Sequence, residues 1–300
     1  MKGLIFFLLN SALILAITGT AAADEPCPTK ISFANGETSV QLPGVVRRGN
    51  QIFFSARING KSEELRFVFD TGAGRAVIDR AVATRLGLQP SEKSSFAGVG
   101  TGRTAVDVVK NVSLQIGSVR LNGVDLNIVA DLHEGEGTAG IIGYALLCSS
   151  VVTLDYQQPS ITVTAPASFQ YHGGGDVLPL TFKGRWPYVR GTLKVPGVDA
   201  VTDDFLIDTG SEDAVNHPII RQSKGPLRET ATGAGGFGNS LKGVIGPNEW
   251  FRIGSTTVPA TNSVCCAASD DVNRQLGGEV LSRFRLIFNY PAKNIVFEKY

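Results

Sequence analysis

An excess of charge of one sign is missing from this chain. Over 300 residues it holds 28 Lys and Arg against 27 Asp and Glu, a formal net charge of +1. Lys2 lies in a leader expected to be removed, and Ala23 and everything before it holds no acid, so the mature chain balances 27 against 27. That balance argues against a nucleic-acid module, which needs a basic face to offset phosphates. Histidine is scarce and scattered, at His133, His172 and His217, and no cysteine spacing has the form of a zinc site, so no metal is expected. No Walker sequence and no G-x-S-x-G occurs. Residues 233–238 match G-x-G-x-x-G by letter. The flanking Arg228-Glu229-Thr230 and Asn239-Ser240-Leu241 give neither the strand nor the helix that a dinucleotide site requires, and no cofactor is expected. Charged residues are only 18% and hydrophobic residues 43%, which excludes disorder.

Glycine, by contrast, is abundant at 35 residues, and with many Val and Ile it points to short strands and tight turns. Residues 1–23 have the layout of a secretory signal: Lys2, an apolar stretch from Leu4 to Ile17 broken by Asn10 and Ser11, then Ala21-Ala22-Ala23. The mature protein is therefore expected to be exported, periplasmic or secreted. No later stretch is apolar enough to span a membrane. Export permits disulfides among Cys27, Cys148, Cys265 and Cys266, and the sequence does not choose among the three pairings. Cys148 ends the apolar run Ala145-Leu146-Leu147, which reads as a buried free thiol.

The chain is written twice. Phe67-Val68-Phe69-Asp70-Thr71-Gly72-Ala73 returns as Phe205-Leu206-Ile207-Asp208-Thr209-Gly210-Ser211, 138 residues later. Leu114-Gln115-Ile116-Gly117-Ser118 returns as Phe251-Arg252-Ile253-Gly254-Ser255, and Leu147 to Val163 returns as Leu281 to Phe297. Three landmarks in one order mean a duplicated unit of about 135 residues. The implied division is a signal at 1–23, an N-terminal segment at 24–44, a first lobe at 45–165, a polar Gly-rich linker at 166–177 and a second lobe at 178–300. Each unit reads as mainly β. A short helix follows the first triplet, with Asp79 as cap, Ile78, Val82 and Leu86 on one face, and Gly87 at its end. Two more short helices are expected after Gly143 and after Gly278.

One Asp-Thr-Gly arises by chance in roughly one chain of this length in ten. Two copies, each after a hydrophobic strand and each at the same place in a repeat, carry information. With them the chain resembles the pepsin and retroviral aspartic proteases. That family has two pseudo-symmetric β-barrel lobes, each with hydrophobic-hydrophobic-Asp-Thr-Gly-[Ala/Ser] and a later hydrophobic-hydrophobic-Gly. The later motif matches Ile141-Ile142-Gly143 in the first unit. In the second it aligns with Gln275-Leu276-Gly277, where Gln replaces an apolar residue. The resemblance covers most of residues 45–300, and the pepsin-type flap Tyr has no clear counterpart.

The resemblance implies an aspartic endopeptidase with Asp70 and Asp208 as catalytic residues. Two adjacent carboxylates cannot both ionise cheaply, so they share a proton and activate one water between them. Thr71 and Thr209 would lock the two turns together. Gly72 and Gly210 would allow close backbone approach, and Ala73 and Ser211 complete the dyad-supporting set, Ser211 adding a hydroxyl that Ala73 lacks. Matched Gly-rich stretches, with Phe96, Gly98 and Gly100 in one unit and Gly235 and Phe237 in the other, are the candidate substrate-binding flaps. Expected partners are a peptide or protein substrate bound by a monomer whose dyad is intramolecular. The rival readings are a catalytically silent exported peptide-binding protein on the same fold, and a structural β-protein with no site.

Overall fold

The structure, a computed structural model, describes residues 26–96, 103–130, 132, 137–232, 241–259, 262–265 and 273–300. The signal-like leader thus lies outside the described residues. Among the described residues no helix is long and apolar enough to cross a membrane.

The chain is mainly β, in three sheets. The segments before each Asp-Thr-Gly, Leu65–Phe69 and Val201–Ile207, carry runs of apolar residues without alternation. Such a run needs cover on both faces, which only a central strand has. Phe67, Val68, Phe69, Phe205, Leu206 and Ile207 are all buried. Leu65–Phe69 lies between antiparallel Ile52–Ile58 and parallel Thr138–Ile142. Val201–Ile207 lies likewise between antiparallel Trp186–Lys194 and parallel Gln275–Leu276. Each half adds an outer antiparallel partner to its parallel strand: Ala76–Asp79 in the first, Val215–Asn216 in the second. The order of equivalent strands is therefore the same in both sheets. In the first sheet Val119–Val129 also pairs with Thr104–Ile116.

A third, six-stranded sheet joins the halves. Ser39–Pro43, Ser160–Thr164 and Val151–Asp155 come from the first, and Phe284–Asn289, Asn294–Lys299 and Asp176–Pro179 from the second. The two triplets meet antiparallel at Val152↔Phe288, so the sheet repeats one three-strand unit about its middle. The segment ahead of residue 45 is woven in: Lys30–Phe33 pairs with Val119–Val129 and Ser39–Pro43 with Ser160–Thr164.

The short helix after the first triplet is Arg80–Arg85, and Asp79 caps it by accepting from Ala81 and Val82 amides at 2.8 and 3.2 Å. Helix Tyr144–Leu147 follows Gly143 as expected, whereas its counterpart Gly278–Leu281 starts at Gly278, with Gly277 in the cap position. Cys148 corrects the free-thiol expectation: it is bonded to Cys27, 121 residues away. The helix buries Leu146 and Leu147, while Cys148 at its C-cap is only half-buried and meets the incoming N-terminal segment. Thr29 Oγ1 donates to Ala145 O at 2.6 Å and holds that segment in place.

The central strands aim the two Asp-Thr-Gly turns at each other, and the threonines join them. Thr71 Oγ1 donates to Ile207 O at 2.6 Å and accepts from Thr209 N at 3.1 Å. Thr209 Oγ1 donates to Phe69 O at 3.0 Å and accepts from Thr71 N at 3.1 Å. Both side chains are 1% exposed, so every one of these groups lacks water as an alternative partner.

Two outcomes are expected. Thr71→Val or Thr209→Val leaves a buried N–H and a buried C=O unpaired at each site, and chemical denaturation should show a loss of about 2–4 kcal/mol. Replacing Cys27 and Cys148 by Ser frees a long loop and should cost about 2–4 kcal/mol in the same measurement. An unchanged denaturation midpoint would refute the corresponding assignment.

Candidate active site

Each turn folds its own carboxylate inward. Asp70 N donates to Ile142 O at 3.0 Å and Asp208 N to Leu276 O at 2.9 Å, so the neighbouring parallel strand fixes where each aspartate leaves the sheet. Asp70 Oδ1 accepts from Gly72 N at 2.7 Å and Ala73 N at 3.1 Å. Asp208 Oδ1 accepts from Gly210 N at 2.9 Å and Ser211 N at 3.2 Å. These are Asx-type turns, in which a short acidic side chain takes up the amides two and three residues on.

Glycine is required at both third positions. A Cβ on Gly72 would lie 2.6 Å from Asp208 Cγ, and one on Gly210 would lie 2.5 Å from Asp70 Cγ. Each carboxyl group therefore rests on the opposite turn's backbone, and the Asp70 side chain is a hydrogen-bond partner of Asp208. Asp208 is 8% exposed and Asp70 half-buried. Burial pushes the Asp208 carboxyl above the usual carboxylate range, against the pull of Asp70, the two backbone amides and Gln275. Two carboxyl groups placed so can share one proton, one acting as acid while the other acts as base.

The expected dyad residues thus come together: Asp70 and Asp208, with Thr71, Thr209, Gly72, Gly210, Ala73 and Ser211 around them. Ala73 and Ser211 act alike on the carboxylates, through backbone N–H groups, and the Ser211 hydroxyl accepts from Asp213 N at 3.3 Å. Among the flap residues, Phe96 ends strand Glu92–Phe96, which pairs with Thr104–Ile116. Arg228–Thr232 and Leu241–Pro247 make the matching pair in the second half. Gly98, Gly100, Gly235 and Phe237 lie outside the described residues. The strand Arg228–Thr232 does precede the G-x-G-x-x-G letters, contrary to the sequence expectation, and a second strand rather than a helix follows them.

Sequence reasoning gave no role to three residues. Gln51 Nε2 donates to Gly210 O at 2.7 Å, and Trp186 Nε1 donates to Gly72 O at 2.9 Å. Each reaches from one half to the turn of the other. They stand 135 residues apart against 138 for the two aspartates, so the repeat offset misses them and only the strand pairings, Phe53 opposite Val68 and Tyr188 opposite Leu206, mark them as equivalents. Trp186 is 37% exposed, a large apolar surface beside the turn. The third, Gln275, donates from Nε2 to Asp208 Oδ2. Its signal was the departure from the hydrophobic-hydrophobic-Gly pattern.

Residues 54–146 match a family model described as aspartyl protease, a span of less than half the chain that contains Asp70-Thr71-Gly72 and Ile141-Ile142-Gly143. No curated protein matches the chain. The match supports an aspartyl protease family for this chain, with aspartic peptidase activity in general as its implication.

Proposed function

We propose that the protein is an exported aspartic endopeptidase of pepsin-like, two-lobed build, acting as a monomer on extended peptides. The observation that carries this is the reciprocal seating of Asp70 and Asp208 on each other's glycine turn. The repeated strand order, and in the first half the additional pairing of Val119–Val129 with Thr104–Ile116, support the two lobes. The leader of residues 1–23 and the Cys27–Cys148 bond support export.

In this reading a water held between the carboxyl groups loses a proton to the ionised partner as its oxygen attacks the peptide carbonyl. The protonated partner gives its proton to the forming oxyanion. A proton then passes to the leaving nitrogen as the C–N bond breaks. The backbone amides of residues 72, 73, 210 and 211 hold the carboxylates still, so little reorganisation is needed as charge moves. The paired hairpins following each turn would cover an extended peptide, and Trp186 would offer an apolar wall beside the cut.

Peptide-library cleavage with and without a pepstatin-like transition-state analogue tests the reading. Asp70→Asn and Asp208→Asn should each cut kcat by at least about 10²–10⁴-fold while the fold persists. Full activity in either variant would exclude a shared dyad, and an inert parent that still binds peptide would favour the silent binder. The pH dependence of stability follows from burial. Because the folded Asp208 carboxyl ionises above its unfolded range, near pH 4, its contribution is fully present below that range and lost as pH rises through the raised value. Asp208→Asn should therefore lose less stability than the parent between about pH 4 and pH 7. Parallel stability curves would contradict the burial assignment.

A further inference from the structure

The duplicated frame departs from symmetry at one strand position beside the dyad. In the first half, Thr138–Ile142 sets Ile141 opposite Val68, and Ile141 packs in an apolar cluster with Phe53, Val77 and Val106. In the second half, Gln275–Leu276 sets Gln275 opposite Leu206, the equivalent position. An amide thus stands where the other half has hydrocarbon. It is 3% exposed, a costly placement unless both its ends are paired.

Both ends are paired, and the pairing has a direction. Asn216 Nδ2 donates to Asp213 Oδ2 at 2.9 Å and to Gln275 Oε1 at 3.0 Å. Asp213 Oδ2 is the acceptor there, which fixes which way the Asn216 amide points. Asn216 in turn occupies the oxygen of Gln275. The Gln275 NH₂ is left facing Asp208 Oδ2, to which it donates.

We propose that Gln275 is a positioning residue for the dyad, and that its fixed amide donor favours placing the pair's single negative charge on Asp208. The proposal rests on the peptidase reading of the site. A hydrogen bond to an ionised acceptor is roughly twice as strong as one to a neutral acceptor, so a donor that cannot turn away selects the charged form. Burial of Asp208 works in the opposite direction, and the amide offsets part of it. The other ionisable groups around it are accounted for. Asp70 is the second half of the dyad. Asp213, itself pushed up by burial and by Glu212, is separated from Asp208 by the two amides. Tyr290 is pushed well above its ordinary range by burial and by both aspartates, so it stays neutral. Arg274, next in sequence, is engaged by Asp203 at 2.6 Å, and the same carboxylate meets His217 Nε2 at 3.5 Å.

The test compares the parent with Gln275→Ile, which copies the first half, Gln275→Glu, and Asn216→Leu, which frees the Gln275 amide to turn. The readouts are the acidic limb of the pH–rate profile on a cleaved peptide, and carboxyl ¹³C titration of Asp70 and Asp208, assigned with the Asp→Asn variants. Gln275→Ile should move both the acidic limb and the Asp208 titration upward by about one pH unit. Gln275→Glu should move them further, because it sets a like charge beside Asp208. Asn216→Leu should give a smaller shift of the same sign. A residue that merely packs would lower the melting temperature and leave both curves in place. If Gln275→Ile fails to fold, the isosteric Glu variant and Asn216→Leu carry the test. Variant titrations that overlay the parent's, in a parent that cleaves peptide, overturn the proposal. A parent that cleaves nothing while the titration shifts persist would overturn the peptidase reading and leave the role of Gln275 standing.

Discussion

Four hydrogen bonds between two threonines and the facing backbones hold the site together, and their strength sets what the site can do. Each hydroxyl donates to the other half's strand carbonyl and accepts from the other half's turn amide, so neither turn is satisfied alone. At about 1 kcal/mol net per bond, the set contributes roughly 4 kcal/mol. Two unit charges about 4 Å apart repel by about 4 kcal/mol at the effective dielectric of a protein surface, and by more in a buried site. A doubly ionised pair would cancel the whole contribution of the threonines. Retaining one proton avoids that cost, and a proton so retained is the one the proposed mechanism would use as its general acid.

The rest of the architecture serves to deliver those turns. The last three residues of each central strand are apolar and buried and lead directly into Asp70 and Asp208, so their burial fixes where each polar residue emerges. The glycines then let the opposite carboxyl rest directly on the backbone. Gln51 and Trp186 donate to the carbonyls of Gly210 and Gly72. The same two donors tie the start of Ile52–Ile58 to the turn at Gly210 and the start of Trp186–Lys194 to the turn at Gly72. Displacing one half thus disturbs backbone and side-chain contacts at both aspartates together.

Much of this was legible in the sequence because its landmarks recur in the same order. The dyad, its threonines and its glycines follow from two motifs at one offset, and the Asp79-capped helix follows from local chemistry alone. What was not legible depended on contacts between distant segments. Cys148 read as a core thiol because its neighbours are apolar, and only the path of the N-terminal segment brings Cys27 to it. Arg228–Thr232 carries no apolar alternation and is a strand because Leu241–Pro247 pairs with it. Gln51 and Trp186 share no residue type and precede their aspartates by different distances along the chain, so only the strand pairings mark them as equivalents.

The proposed mechanism needs two unlike carboxyl groups, whereas the two Asp-Thr-Gly turns have nearly the same geometry. Their surroundings differ. Asp208 is buried where Asp70 is half-buried, which alone would place the proton on Asp208. The amide chain from Asp213 through Asn216 to Gln275 opposes that preference at a position where the first half keeps isoleucine. Burial is the strongest influence on Asp208 and the Gln275 amide one of the weaker ones, so the amide offsets only part of the upward shift. In the proposed mechanism the amide therefore narrows, without reversing, the preference of the shared proton for Asp208.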